Sequence, residues 1–141
     1  MIDKFFGEYR FLSNFWPCKV EFDGEIYDSV EHAYQAAKTL NKDHRDMIRS
    51  SKTPGEAKKL GKKIHIREDW EYFKIHIMSN LVAQKFRMNE DLANMLLATG
   101  DEELVEGNTW GDTFWGTCKG TGHNHLGKIL MGVRQELKMI K

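Results

Sequence analysis

Glu31 and Lys38 are the two residues of this sequence whose types and spacing best fit catalysis. They lie in the segment SVEHAYQAAKTL, which begins at Ser29. A helix turns about 100° per residue, so it would present both side chains on one face, two turns apart, with Tyr34 between them. The face could then be the floor of a pocket, with Glu31 at its mouth and Lys38 deeper. The alternative is an exposed stripe whose charges face water.

The segment around this pair predicts a helix. Ser29 is a favourable N-cap, and Asp28 before it suits the positive end of a helix. Three alanines, at 33, 36 and 37, are strong helix formers and would allow another chain segment to approach closely. We therefore expect a helix that starts at Ser29 and carries the candidate pair.

A second set of candidates lies in the glycine-rich segment 107–124. It contains Trp110, Asp112, Trp115 and Lys119, and it ends at Asn124, directly before a predicted helix. Such a loop can hold a structured turn, or it can bring backbone N–H groups to an anion at a helix N-terminus. The glycines match neither a P-loop nor a dinucleotide-binding motif, so the pattern alone is weak evidence.

Composition places the chain among ordinary globular proteins. Its 141 residues fit one domain, residues 1–141, and 40% of them are hydrophobic. Lys plus Arg number 21, as do Asp plus Glu, so a protein that grips nucleic acid mainly through phosphates is disfavoured. The segment 52–67 is nonetheless rich in lysine. It is either the exposed side of a helix or a rim that attracts substrate phosphates.

Cysteine usage and the N-terminus bear on metals and location. Cys18 and Cys118 are far apart and lack the spacing of a zinc site, so we expect no metal and free thiols in a reducing cytosol. The start of the sequence lacks the features of a secretory signal, and no stretch approaches the roughly 20 apolar residues of a membrane helix. These observations favour a cytoplasmic protein.

Hydrophobic periodicity predicts a mostly helical α+β domain with a small β-hairpin. Two alternating runs flank Asp23-Gly24, which is a strong signal for a two-residue hairpin turn. The longest helix should run over 69–86, with a buried ridge of Trp70, Phe73, Ile77, Leu81 and Phe86. The remaining predictions are an aromatic loop over 5–17, helices over 42–50, from 53 to 61, from 89 to near 100 and over 124–137, and a strand over 104–106.

Two further residues have alternative interpretations. Asn14 could hold a backbone turn, or it could offer a donor and an acceptor to a polar ligand. Trp70 could stack on a ligand ring, although a tryptophan in the core is the more common case.

The segments 11–15, 29–38, 112–116 and 122–131 together resemble the NADAR family, and the likeness runs from about Phe5 to Leu137. The resemblance implies an α+β fold and an N-glycosidase that uses no metal or other cofactor. Its substrates would join a phosphate-bearing ribose to a nitrogenous base. They would be ribosylaminopyrimidine phosphates of riboflavin biosynthesis, or ADP-ribose attached to guanine in nucleic acid.

The resemblance also assigns site residues. Glu31 and Lys38 match the acidic residue and the lysine of the family's helix, and Asp112 joins them as a catalytic candidate. Which of Trp110 and Trp115 stacks on the base stays open. The candidates for substrate binding are Asn14, Phe15, Tyr34, Trp70, Trp110, Trp115, Lys119 and Asn124.

Cleavage of an N-glycoside passes through an oxocarbenium-like ribose, which needs a nearby negative charge and a base for water. Glu31 would supply one of these functions. Asp112 would be a second acid or a group that orients a hydroxyl, or it would be only a turn aspartate. Lys38 would pair with Glu31 and lower its pKa, or it would form a Schiff base with the opened sugar. A module that binds ADP-ribose without catalysis and a nucleic-acid-associated protein are the alternatives from other classes.

Overall fold

The computed structural model describes residues 1–140 and contains six α-helices, one 3-10 helix and four short strands among them. The 3-10 helix is Gly7–Leu12. The strands are β1 (Val20–Phe22), β2 (Glu25–Tyr27), β3 (Gly107–Asn108) and β4 (Thr117–Cys118). The α-helices are α1 (Val30–Ala37), α2 (Lys42–Arg49), α3 (Pro54–Gly61), α4 (Trp70–Arg87), α5 (Glu90–Ala98) and α6 (His125–Ile140).

The predicted mostly helical α+β fold is confirmed, and so is each predicted helix. The predicted strand over 104–106 is wrong. Leu104 forms an isolated bridge with Ile2, and β3 begins only at Gly107, where it pairs in parallel with β4. The physical reason is the lack of a continuous partner, because Val105 donates its N–H to the Ile2 carbonyl and the ladder stops there.

The chain divides into two units, one formed by 14–85 and the other by 1–13 together with the chain from Phe86 onward. In the 14–85 unit, α1 packs against α2, α3 and the β1–β2 hairpin. Every residue of α1 is buried, and its small apolar residues Val30, Ala33, Ala36 and Ala37 are fully so. Helix α1 is therefore the core helix of this unit.

The hairpin leads directly into α1. Asp23 and Gly24 both have positive φ, as a two-residue type I′ turn requires. Helix α4 is fastened to the hairpin by Gln84, whose amide donates to the Glu21 carbonyl and accepts from the Glu21 N–H, both at 2.8 Å. These contacts fix the direction in which the chain enters the core helix.

The buried face of α4 differs in part from the prediction. Trp70, Leu81 and Phe86 are buried as expected, whereas Phe73 and Ile77 are half-buried. The buried positions concentrate in the second half of the helix, which is covered on more than one side. They are Met78, Leu81, Val82, Ala83, Lys85 and Phe86.

In the other unit, α5 packs against α6, and β3 pairs with β4. Leu126, Leu130, Val133 and Leu137 of α6 are buried, at the helical spacing expected from the sequence. No helix within residues 1–140 is long and apolar enough to cross a membrane.

Candidate active site

The N-terminus of α1 is held by a buried hydrogen-bond network. The Ser29 hydroxyl accepts from the His32 N–H at 3.0 Å, and it also contacts His32 Nδ1 at 2.7 Å. His32 Nε2 lies 3.0 Å from the Ser51 carbonyl, which can only accept, so Nε2 carries the proton. His32 therefore has a structural role that secures the start of the helix.

Asn14 also contributes to this end of α1. Its backbone carbonyl accepts a hydrogen bond from the Glu31 N–H at 3.1 Å, which satisfies one of the free donors of the first turn. Its side-chain amide contacts the Met78 sulfur at 3.5 Å. The hydrogen bond at the start of α1 is thus made by the backbone of Asn14, and the observed contact of its side chain is with Met78, which differs from the predicted turn role of the carboxamide.

Glu31 is a buried carboxylate, 8% exposed. Its Oε2 accepts a 2.6 Å hydrogen bond from Gln35 Nε2, one turn further along α1. Burial raises the pKa of Glu31, although the Gln35 hydrogen bond and the charges of Lys58 and Lys38 act against that rise. Glu31 therefore keeps its proton to a higher pH than an ordinary glutamate does.

Lys38 caps the C-terminus of α1 and is half-buried. Its Nζ lies 5.4 Å from the centre of the Tyr34 ring. Burial lowers the pKa of Lys38, and Lys58, Lys62 and Lys74 lower it further, whereas Glu31 raises it. The neutral amine, which is the nucleophilic form, is therefore favoured relative to an exposed lysine.

Two expectations about the pair are corrected. Glu31 is the more deeply buried residue and Lys38 the more exposed, which reverses the predicted depth. Pairing with Lys38 does not lower the pKa of Glu31 below its usual range, because the desolvation of the carboxylate outweighs the attraction. The hydrogen-bond partner of Glu31 is Gln35.

The lysine-rich segment contributes charge to this site. Lys58 lies on α3, which packs against α1, and is half-buried, whereas Lys62, the C-cap of α3, is exposed; both lower the pKa of Lys38. Lys74 joins them from α4, where it pairs with Glu71 at 2.7 Å. Lys52, Lys59 and Lys63 are exposed. Part of the segment is thus the solvated side of a helix, and part surrounds the candidate pair.

Tyr34 and Trp70 pack together in the 14–85 unit. Their ring centres are 5.1 Å apart at a tilt of 55°, and both side chains are buried. This packing supports the core interpretation of Trp70. Phe15 differs from both, because its side chain is 42% exposed.

Asp112 organises a turn in the other unit. Its Oδ1 accepts from the N–H groups of Phe114 at 3.0 Å and Trp115 at 2.9 Å. The Asn108 amide brackets it, accepting from the Asp112 N–H and donating to its carbonyl. These hydrogen bonds support the interpretation of Asp112 as a turn residue.

The Asn124 side chain also hydrogen-bonds to the backbone. It is buried at positive φ, accepts from the Glu106 N–H at 3.0 Å and donates to the Leu104 carbonyl at 2.9 Å. Both ends of its carboxamide are thus used within the unit. This arrangement supports a role in shaping the loop before α6.

The aromatic residues of the glycine-rich segment differ in exposure. Trp110 is 54% exposed, whereas Trp115 is half-buried and packs edge-on against Phe114, with ring centres 4.8 Å apart. Lys119 is exposed at positive φ. No group of three or more His, Cys, Asp or Glu side chains within residues 1–140 is arranged to hold a metal ion.

Two residues near the candidate pair were not identified from the sequence. Gln35 lies four positions after Glu31, a spacing that places two side chains together on a helix, so this contact had a detectable signal. Lys74 comes from another helix, and no local pattern connects it to Lys38.

Comparison with known proteins identifies a family match and several relatives. The model of the NADAR domain matches residues 4–138. The N-glycosidase Npun_R5314 of Nostoc punctiforme is 40% identical, and the alignment covers 96% of this chain and 90% of that protein. The N-glycosidase YbiA of Escherichia coli K12 is 37% identical, with 95% and 85% covered.

A longer relative and a solved structure complete the comparison. The riboflavin biosynthesis protein VVA0006 of Vibrio vulnificus is 39% identical over 91% of this chain, but this chain spans only 35% of that protein. The NMR structure of the E. coli protein YbiA matches with a TM-score of 0.85 at 32% identity, over 99% of this chain and 88% of that one.

Proposed function

Because this chain belongs to the NADAR family, we propose that it hydrolyses the N-glycosidic bond between a phosphorylated ribose and a nitrogenous base. The predicted family is confirmed by the match over residues 4–138, and the enzyme class is confirmed by relatives named N-glycosidase. The family match also runs through both structural units. We therefore treat them as one functional domain.

The observation that carries the proposal is the pair on α1. Burial raises the pKa of Glu31 and lowers that of Lys38, so the protonated acid and the neutral amine are both favoured relative to exposed side chains. Catalytic groups work best when their pKa lies near the working pH. The pKa values of an exposed stripe of charges would not be shifted in these opposite directions.

In the proposed reaction, the protonated form of Glu31 gives its proton to the departing nitrogen of the base as the bond to ribose C1 breaks. The resulting carboxylate stabilises the positive charge on the ribose. The sugar is then taken either by water or by the Lys38 amine. In the first case water bonds to C1 and returns a proton to the Glu31 carboxylate. In the second case Lys38 Nζ bonds to C1 and gives up a proton to that carboxylate, and the C1–O4 bond of the ring then breaks as O4 takes up a proton, which leaves an imine at C1. Water adds to the imine and releases the ribose phosphate, which restores the Lys38 amine.

Phosphate on the ribose provides binding energy away from the reacting bond. The lysines around Lys38, contributed by α3 and α4, supply positive charge for that group. Asp112, Trp110, Trp115 and Lys119 remain candidates on the family resemblance, and the observed role of the Asp112 side chain is to accept the hydrogen bonds of its turn.

The experiment that tests the function is a product assay on two substrates, a ribosylaminopyrimidine phosphate and guanine-linked ADP-ribose in an oligonucleotide. Chromatography should show release of the free base from at least one of them. Binding of ADP-ribose without release of base from either substrate would instead identify a non-catalytic module.

Glu31→Gln tests the residue assignment. It keeps the size of the side chain but removes the transferable proton, so we expect kcat to fall about 10²- to 10⁴-fold. Exposed Glu90→Gln on α5 is the matched control and should retain wild-type kcat. Wild-type turnover by a normally folded Glu31→Gln protein would contradict the assignment.

A further inference from the structure

The Gln35 carboxamide lies between the candidate carboxylate and a neighbouring helix. Its side chain is 4% exposed, and Nε2 donates to Glu31 Oε2 at 2.6 Å. Its other polar atom, Oε1, is buried and has no hydrogen-bond partner within residues 1–140. A buried acceptor without a donor is unfavourable by about 1–3 kcal/mol, so this arrangement calls for a reason.

Gly61 of α3 explains where Oε1 lies. A methyl group built on Gly61 would overlap Gln35 Oε1 and come within 2.8 Å of Gln35 Cδ. Glycine in a helix is less favourable than alanine by about 1 kcal/mol. The space that Gly61 leaves for the carboxamide therefore accounts for a glycine at this helical position.

We propose that Gln35 is the positioning residue for Glu31, and that Gly61 leaves the room in which its carboxamide can serve both protonation states of that residue. This inference rests on the proposed function. When Glu31 is ionised, the amide N–H donates to the carboxylate. When Glu31 is protonated, a half-turn of the carboxamide presents Oε1, which accepts the acid proton.

The arrangement suits a group that must gain and lose a proton in each turnover. Burial favours the protonated form of Glu31, and the Gln35 donor offsets part of that effect. The other groups that favour the carboxylate are Lys58, Lys38 and His32. Gln35 differs from these side chains because its hydrogen bond fixes the direction of the carboxyl group as well as its proton affinity.

Gln35→Met is the first test, because methionine has a similar length and no amide. The hydrogen bond to the ionised carboxylate is stronger than the one to the neutral acid, so loss of Gln35 should move the limb of the kcat–pH profile that belongs to Glu31 to higher pH. Misplacement of the carboxyl should lower kcat on the order of 100-fold. KM should change much less than kcat. A uniform loss of rate with an unmoved limb would show that Gln35 is only structural and would overturn the proposal.

Gly61→Ala tests the same contact from the other helix. The added methyl should displace Gln35 and produce the same direction of limb shift. Gly55→Ala is the matched control in α3, because a Cβ there would lie 3.8 Å from Thr53 Oγ1, an ordinary contact. In the double variant Gln35→Ala/Gly61→Ala the overlap with the carboxamide is removed and only a 3.3 Å approach of the two Cβ atoms remains, so much of the Tm should recover while the limb stays shifted. A wild-type profile for Gly61→Ala would overturn the role of Gly61.

A measurement without substrate separates this inference from the proposed function. Carbon-13 NMR of the Glu31 carboxyl in the free protein should give a higher titration midpoint in Gln35→Met than in the wild type. If the wild type releases no base while this shift is observed, the proposed function fails and the positioning contact stands. If base is released but the midpoint does not move, the positioning contact fails.

Discussion

Burial acts in opposite directions on the two ionisable residues of α1, because it disfavours whichever form carries a charge. It raises the pKa of the Glu31 carboxyl and lowers that of the Lys38 amine. The positive charges of Lys58, Lys62 and Lys74 add to the effect on Lys38. Of the two roles considered for Lys38, these pKa shifts favour the nucleophilic amine over a close ion pair with Glu31.

Trapping with borohydride tests the nucleophilic role. If Lys38 attacks ribose C1, sodium borohydride added during turnover should reduce the imine to a stable amine, and the peptide that contains Lys38 should gain the mass of the sugar phosphate. Mass spectrometry after digestion checks this. Lys38→Arg should give no adduct, and exposed Lys128→Arg should still give one. Turnover by the wild type without any adduct would assign Lys38 an electrostatic role.

Lys85 on α4 is a buried lysine that the proposed reaction does not use. It is 1% exposed, and burial lowers its pKa to about 8. In the unfolded chain the pKa would be about 10.4, so between these values the unfolded state binds more protons. Lys85 therefore destabilises the fold below pH 8, and the free energy of unfolding should rise as the pH increases through this window.

Lys85→Met should remove this rise. The contribution amounts to about 3 kcal/mol between pH 8 and 10.5 and can be measured by urea unfolding at several pH values. Burial raises the pKa of the Cys18 thiol, which acts in the opposite direction at alkaline pH, so the comparison is between variant and wild type. Exposed Lys128→Met should keep the wild-type slope. An unchanged slope in Lys85→Met would contradict the assignment.

At the level of elements, the N-terminus of α1 decides how Glu31 is presented. Glu31 lies in the first turn, directly after the Ser29 cap, and its N–H is taken by the Asn14 carbonyl. Any fraying of this turn would move the carboxyl group. The stability of the cap and the geometry of the site are therefore linked.

Ser29→Ala should destabilise the protein more than loss of an exposed cap. Ser29 is fully buried and serves two atoms of His32, so we expect a loss of about 2 kcal/mol. Thr53→Ala removes the exposed cap of α3 and should lose about 1 kcal/mol. Chemical denaturation of the two variants checks the difference, and equal losses would contradict the role of the buried network.

On the scale of the whole molecule, balanced charge limits what the chain can bind. Lysines and arginines equal aspartates and glutamates at 21 each, while positive charge is concentrated around Lys38. Such a distribution suits one phosphorylated ligand better than a long phosphate backbone. If ADP-ribosylated nucleic acid is the substrate, recognition should depend on the modification.

Fluorescence anisotropy tests this expectation. An unmodified 20-base-pair duplex should show no saturation below about 100 µM protein at physiological salt, because few phosphates would be neutralised. A duplex that carries ADP-ribose on guanine should bind more tightly to Glu31→Gln, in which turnover is blocked. Tight, steeply salt-dependent binding of the unmodified duplex would favour the nucleic-acid-associated class instead.

Much of the local structure was predictable because its causes lie close together in the sequence. The caps at Ser29 and Thr53 and the Asp23-Gly24 turn each act over two to four residues and are found where expected. The strand over 104–106 was mispredicted because pairing needs a distant partner, and Ile2 supplies it at only one position. The buried face of α4 was partly mispredicted for the same reason, because it depends on contacts with segments that are distant in the sequence.

The sequence by itself determined that Glu31 and Lys38 share a helix, and its motifs indicated the family, since helix periodicity and residue type are local properties. Only the tertiary structure decided how deeply each lies, that Gln35 and Gly61 adjoin the carboxyl group, and that Asp112 and Asn124 bond to the backbone. Burial and cross-helix contacts depend on segments far apart along the chain. They set the pKa of both residues, and with it the chemistry available to them.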